Sequence, residues 1–254
     1  MPAGLTEFLA ALGIVALVTV LILCARSCSW GKDDSETDGT SSVDTSAAVN
    51  AAPPATVLTP VPAEDISYPF PVTAGITLDR IYTATGYFPE DGSDEAIDNV
   101  LAVKLTNISE KTLEYLSFSL TLNGEICKFT AATVPAGKSV YAFSTERSTA
   151  PESISSIESD VEFVLYFTEE PSAKTDNLSY DVQNGTIVVT NISERDISSD
   201  IVVYYKAKAE DGYLGGITYR FRISGGLAAG ERFNAYAPHA YGQKTEIMFA
   251  QYEE

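Results

Sequence analysis

From Ile76 to the end of the chain, apolar and polar residues alternate with period two, punctuated by Gly, Asn and Pro. That period marks strands with one buried face. It predicts strands at 77–88, 98–107, 113–122, 125–132, 138–144 and 160–167, then at 177–182, 185–191, 200–208, 216–223, 231–237 and 245–252. Leu116, Phe118, Leu120 and Leu122 share one face, and Ser117, Ser119 and Thr121 the other. Likewise Ile201, Val203, Tyr205 and Ala207 oppose Val202, Tyr204, Lys206 and Lys208. Asn123-Gly124 and Asn184-Gly185 read as tight hairpin turns. No long stretch carries helical period.

The first 71 residues follow other patterns. Residues 8–25 (FLAALGIVALVTVLILCA) carry no charge. With Leu5 and Thr6 the run is about 20 residues, enough to cross a ~30 Å hydrocarbon core as a helix. Residues 1–30 are therefore expected to be a transmembrane anchor. A cleaved signal peptide is the rival, but residues 1–7 hold no Lys or Arg. Lipidation at Cys24 or Cys28 and prepilin-like processing at Gly4 are further alternatives. Arg26 and Lys32 follow the apolar run, which by the positive-inside rule turns the C-terminal part to the cytoplasm. The acidic, stalk-like region after Asp33 argues for the outside, which is the preferred orientation. Residues 31–71 are rich in Ser, Thr, Asp, Ala and Pro and are expected to form a disordered linker.

The strand region contains an internal repeat. VLAVKLTNISEK (100–111) matches GTIVVTNISER (185–195), with Asn107 and Asn191 84 residues apart. VPAGKSVYAFS (134–144) matches LAAGERFNAYA (227–237), with Gly137 and Gly230 93 apart. VEFVLYF (161–167) matches IMFAQYE (247–253). The offset drifts because the copies differ in loop length, chiefly in a longer hairpin around 212–216. Six or so short strands per copy suit an antiparallel sandwich. The fold class expected is all-β: two tandem immunoglobulin-like β-sandwiches, 72–172 and 173–254, after the helix and linker.

Thr106-Asn107-Ile108-Ser109 with Pro135 and Gly137, and Thr190-Asn191-Ile192-Ser193 with Gly230, carry a resemblance. Over roughly residues 76–254 the chain resembles the FxLYD-type family of bacterial immunoglobulin-like domains. The resemblance implies a cell-envelope protein, commonly Gram-positive and often anchored by an N-terminal helix or lipid. It implies no catalytic residues.

Charge narrows the partners. Sixteen Lys and Arg stand against 35 Asp and Glu, a net charge of −19, which excludes a general nucleic-acid binder. One His and three Cys leave little for a metal site built from those residues, and no cofactor is expected. Lys206, Lys208, Arg220 and Arg222 fall on one side of a predicted hairpin. They form the candidate partner-binding face, suited to a protein or an acidic envelope polymer. The ordinary alternative is a solvated strand face that discourages edge pairing.

The remaining motifs read as structural. The string at 132–139 has P-loop character, but Val140-Tyr141-Ala142-Phe143 continues as a strand, so it is a turn. Glu90, Asp91, Asp94, Glu95 and Asp98 form an acidic loop without the EF-hand order. His239 is the only His, and no G-x-S-x-G string accompanies it. Cys127 is expected to be a buried thiol. Asn-x-Ser/Thr strings occur at Asn107, Asn177, Asn184 and Asn191, and the first and last are the repeat's own turn residues. The function expected is a non-catalytic, membrane-anchored extracytoplasmic binding or structural module. A secretion or pilus-like component is the alternative, and an envelope hydrolase a more distant one.

Overall fold

Alternating residues pair into strands wherever a second apolar face is within reach. The computed structural model describes residues 56–93, 95–241 and 244–253. The first lobe is built from β1 (Val57–Pro60), β2 (Phe70–Thr73), β3 (Ile76–Tyr87), β4 (Ala96–Asn107), β5 (Leu113–Leu122), β6 (Glu125–Val134), β7 (Ser139–Phe143) and β8 (Ile157–Tyr166). The second is built from β9 (Leu178–Asn191), β10 (Ile201–Ala209), β11 (Gly212–Ile223), β12 (Arg232–Tyr241) and β13 (Thr245–Gln251). The fold is all-β. Among the described residues no helix is long and apolar enough to cross a membrane. The expected anchor at 1–30 and the first part of the expected linker lie outside the described residues.

The rest of that linker belongs to the fold. β1 pairs with β3 from Val57↔Thr85 to Pro60↔Tyr82, and β2 pairs with β3 at Phe70↔Leu78. Val61 is buried, and Ile66, Tyr68 and Phe70 pack on the first core. Prolines are tolerated there because these are edge segments, where a missing N–H interrupts no ladder. The lobe thus starts near residue 57 rather than at 72.

Each lobe places its core between two sheets. In the first, β6-β5-β8 faces the β3, β4 and β7 part of a larger sheet. Leu78, Ile81, Leu101, Val103, Leu116, Phe118, Leu120 and Phe129 fill the gap. Phe118 and Phe129 stack at 5.3 Å. In the second, β11, β10 and β13 face β9 and β12, with Ile187, Val189, Ile201, Val203 and Tyr205 between them.

β9 doubles back on itself. Fourteen extended residues would separate its ends by more than about 40 Å. Yet the Ile192 N–H donates to the Asn177 carbonyl at 2.9 Å. Gly185, at φ +76°, marks the reversal, as the Asn184-Gly185 turn predicts. The first lobe makes the equivalent bond from the Ile108 N–H to the Gly75 carbonyl, at 2.8 Å.

Both copies lock their shared turn with one buried asparagine. Asn107 Nδ2 donates to the carbonyls of Lys111 and Val134, both at 2.8 Å. Its Oδ1 accepts from the Ser109 N–H at 3.1 Å and the Ser109 hydroxyl at 2.7 Å. Asn191 repeats the pattern with Arg195 O, Leu227 O and Ser193. An amide group offers two donors and an acceptor with two lone pairs, so each is fully used. Asn107→Ala and Asn191→Ala are each expected to cost about 2 kcal/mol, because buried carbonyls lose their donors. Asn→Asp at either site is expected to cost at least as much, since a carboxylate would face two carbonyls. Urea titration checks both.

Candidate functional site at the junction of the two lobes

The lobes meet where the copies differ in length. Asn107 to Asn191 is 84 residues and Gly137 to Gly230 is 93, so nine residues are gained between those positions. The gain extends the β10–β11 hairpin. The first copy carries its own extension at 88–95, where the second has only Asn184-Gly185. These two extensions dock against each other.

β11 joins the first lobe's sheet directly. Tyr213 and Leu214 pair in parallel with Val140 and Tyr141 of β7. The eight-stranded sheet therefore runs β1-β3-β4-β7-β11-β10-β13 through both lobes, with β2 beside β3. Successive strand residues point to opposite faces. Accordingly Tyr213 enters the first lobe's main core, and Leu214 packs on the cluster of Phe88, Tyr141 and Phe143 beyond the sheet. Asp211, in the hairpin loop, accepts from Lys104 Nζ at 2.5 Å and from the Tyr141 hydroxyl at 2.6 Å. Those two donors hold its carboxyl below the usual carboxylate range.

Glu90 and Lys206 form the charged centre of this junction. Glu90 keeps part of its stem in solvent, while its carboxyl is buried. Its Oε1 accepts from the Gly216 N–H at 2.7 Å and the Phe143 N–H at 2.8 Å. Lys206 is completely buried. Its ammonium donates to the carbonyls of Ile217 at 2.6 Å, Ala132 at 3.0 Å and Gly216 at 3.3 Å. The Gly216 unit thus sits between the charges, its N–H toward the carboxylate and its carbonyl toward the ammonium. Burial pushes the Glu90 carboxyl up, against the pull of the Gly216 and Phe143 amides and the Lys206 charge. Burial pulls the Lys206 ammonium down, against the Glu90 charge. Both lobes contribute partners to both groups.

This corrects the expected basic face. Alternation places Lys206 off its own core, as the pattern predicts. The surface covering that side is the first lobe rather than water. Lys208 lies 3.6 Å from Glu246, and Arg222 lies 3.4 Å from Asp200. Arg220 and Arg222 remain exposed on β11. The four cations therefore do not form one solvent-facing stripe.

The acidic loop is likewise divided. Glu90 turns into the junction. Asp91 and Glu95 accept from Arg147 at 2.8 and 2.7 Å, and that guanidinium lies 4.5 Å over the Phe88 ring. Asp98 accepts from the Thr85 hydroxyl at 3.0 Å. Asp94 lies outside the described residues. Among the described residues, no group of three or more His, Cys, Asp or Glu could hold a metal ion. His239 stacks on Tyr219 at 4.3 Å, and the Tyr219 hydroxyl donates to the Pro89 carbonyl at 3.1 Å. Cys127 is a buried free thiol.

Sequence reasoning missed Glu90, Asp211, Tyr213 and Gly216 as members of one site. The available signal was the pair of length differences between the copies, together with the glycine-rich string Gly212-Tyr213-Leu214-Gly215-Gly216. Chemically, this site joins lobes: backbone groups meet Glu90 Oε1 and the Lys206 ammonium, Glu90 Oε2 is buried without a hydrogen-bond partner, and both charges aim inward. No protein-family model matches the chain, and comparison with curated proteins and with solved structures gives no match.

Proposed function

We propose that the chain is a non-catalytic, extracytoplasmic binding or structural module of the cell envelope, anchored in the membrane through residues 1–30. On this reading the lobes are two immunoglobulin-like sandwiches related to the FxLYD type. They act as one rigid body that presents its surface to a protein or polymer partner. The Glu90–Lys206 junction carries the reading. Strongly shifted titratable groups are candidates for chemistry when they face a cleft. Here they are enclosed by two backbones, and their interactions tie one lobe to the other. That is the chemistry of a scaffold.

The test is protease treatment of intact cells carrying a tag after Glu254. Loss of the tag with cytoplasmic controls intact is the expected result. A tag that survives on intact cells but is cut in lysed ones would turn the search to intracellular partners. The second reading, a secretion or pilus-like component, draws support from the unpaired outer edge of β8.

A further inference from the structure

The repeat supplies its own comparison for that edge. β8 and β13 are equivalent strands, each last in the order β6-β5-β8 and β11-β10-β13. Phe163 and Val164 in β8 match Phe249 and Ala250 in β13. Phe249 is 5% exposed and Ala250 4%, whereas Phe163 is 50% exposed and Val164 36%. The difference has a visible cause. The segment linking the lobes runs along β13. Its Phe167 ring packs edge-on against Phe249 at 5.5 Å, and the Ser172 carbonyl accepts from the Ala250 N–H at 3.0 Å. Tyr204 stacks on the Phe249 ring at 4.1 Å. In the first lobe, Ser117 stands opposite Phe163 where the second has Tyr204 opposite Phe249.

Edge strands are usually guarded by charge or by a bulge. β8 is guarded only along its first half, by Glu158, Asp160 and Glu162. The register shifts between Ser117 and Phe118 and again between Leu113 and Tyr115, and between those two irregularities Phe163, Val164 and Leu165 are exposed and carry no charge. Tyr115 on β5 extends the patch, with its ring 6.1 Å from Phe163. β5 and β8 carry Glu114, Glu158, Asp160 and Glu162, with no Lys or Arg.

The geometry points to β8 as a strand-addition site for an extended segment of a partner protein that is apolar in one half and basic in the other. The occupant would lie on β8 as the linker lies on β13, with an aromatic side chain over Phe163 and cations against the acidic half. Main-chain bonds along an edge supply affinity, and alternate side chains supply specificity. This inference rests on the binding-module reading and names its surface.

The probe is a synthetic peptide of residues 165–176 carrying Glu169→Lys and Glu170→Lys, titrated against the full chain in detergent. Saturable binding is expected, weakened at least about tenfold by Phe163→Lys and by Leu165→Lys, which remove apolar contact and guard the edge. The unsubstituted acidic peptide is expected to bind at least about fivefold more weakly at low salt. Tyr236→Lys, at an exposed position on β12, leaves binding unchanged. Both edge substitutions fall on exposed side chains. If Phe163→Lys lowers the melting temperature, Leu165→Lys decides. No saturable binding, or equal binding by the wild type and Leu165→Lys, overturns the proposal. Protease shaving separates the two inferences: an outward-facing tag with no peptide binding sinks only the β8 site. A protected tag with edge-dependent binding sinks only the extracytoplasmic reading.

Discussion

Lys206→Met is expected to lower stability by about 3 kcal/mol at neutral pH and to make it fall as pH rises. Removing one partner of a buried pair leaves the other charge uncompensated, which costs more than the pair itself contributes. Glu90 can escape by taking up a proton. Against an ordinary carboxylate value of about 4.3, that uptake costs no more than about 4 kcal/mol at neutral pH. The sign of the pH dependence follows from burial. Without Lys206, the Glu90 carboxyl in the folded protein lies further above its unfolded value, because the charge opposing the shift is gone. Its contribution is then fully present below the unfolded value of about 4.3 and is lost as pH rises through the folded one.

Glu90→Gln has the opposite slope. Burial holds Lys206 below its unfolded value, and the Glu90 charge no longer opposes it. That contribution is present above about 10.4 and is lost as pH falls through the folded value. The double variant Glu90→Gln/Lys206→Met keeps an acceptor for the Gly216 and Phe143 amides and most of the lysine's volume. It is expected to recover at least about 2 kcal/mol of the summed single losses. Urea titrations of the four proteins across pH measure all of this. Parallel slopes in the two single variants, or simple additivity, would show that the groups do not form a working pair.

The burial of Lys206 also shows how far the sequence is legible. Alternation along 200–208 assigns each side chain to one side of its sheet, and Ile201, Val203 and Tyr205 are buried as expected. Alternation carries no information about what lies on the other side. For Lys206 that is Ala132 and Glu90, 74 and 116 residues away in sequence. The shared asparagine turns were legible because all their partners are local or recur in both copies. Residues 57–71 were not, because Pro and small polar residues give them the composition of a coil. Their order comes from β3, which offers Val57 and Phe70 a ladder. The hairpin around 212–216 was visible as an insertion, but its purpose appears only when Tyr213 and Leu214 meet β7. Local pattern specifies the lobes, and contacts between distant residues specify the junction.

Gly216→Ala is expected to part the two lobes. A Cβ at this position would stand 1.9 Å from the Thr130 carbonyl oxygen of β6. Backbone lies on both sides of that contact, so no flexible side chain can yield, and β11 has to withdraw. Withdrawal breaks the Gly216 bonds to Glu90 and Lys206 and strains the parallel pairing of Tyr213 and Leu214 with β7. The expected loss is about 3 kcal/mol or more, at the upper end for overpacking. Its character matters more than its size. Each lobe has its own core. The wild type, joined by one continuous sheet, is expected to unfold in a single transition, and the variant in two. Gly230→Ala is the matching control. Gly230 also closes a turn, at φ +75°, but a Cβ there meets nothing within 4 Å, so only backbone strain of about 1 kcal/mol applies. One transition at wild-type stability in Gly216→Ala would mean that the close approach of β11 to β6 does not hold the lobes together. The buried pair beside it would then lose its role as a joint, because Gly216 is the residue through which Glu90 reaches the second lobe's backbone, next to the Ala132 carbonyl through which Lys206 reaches the first.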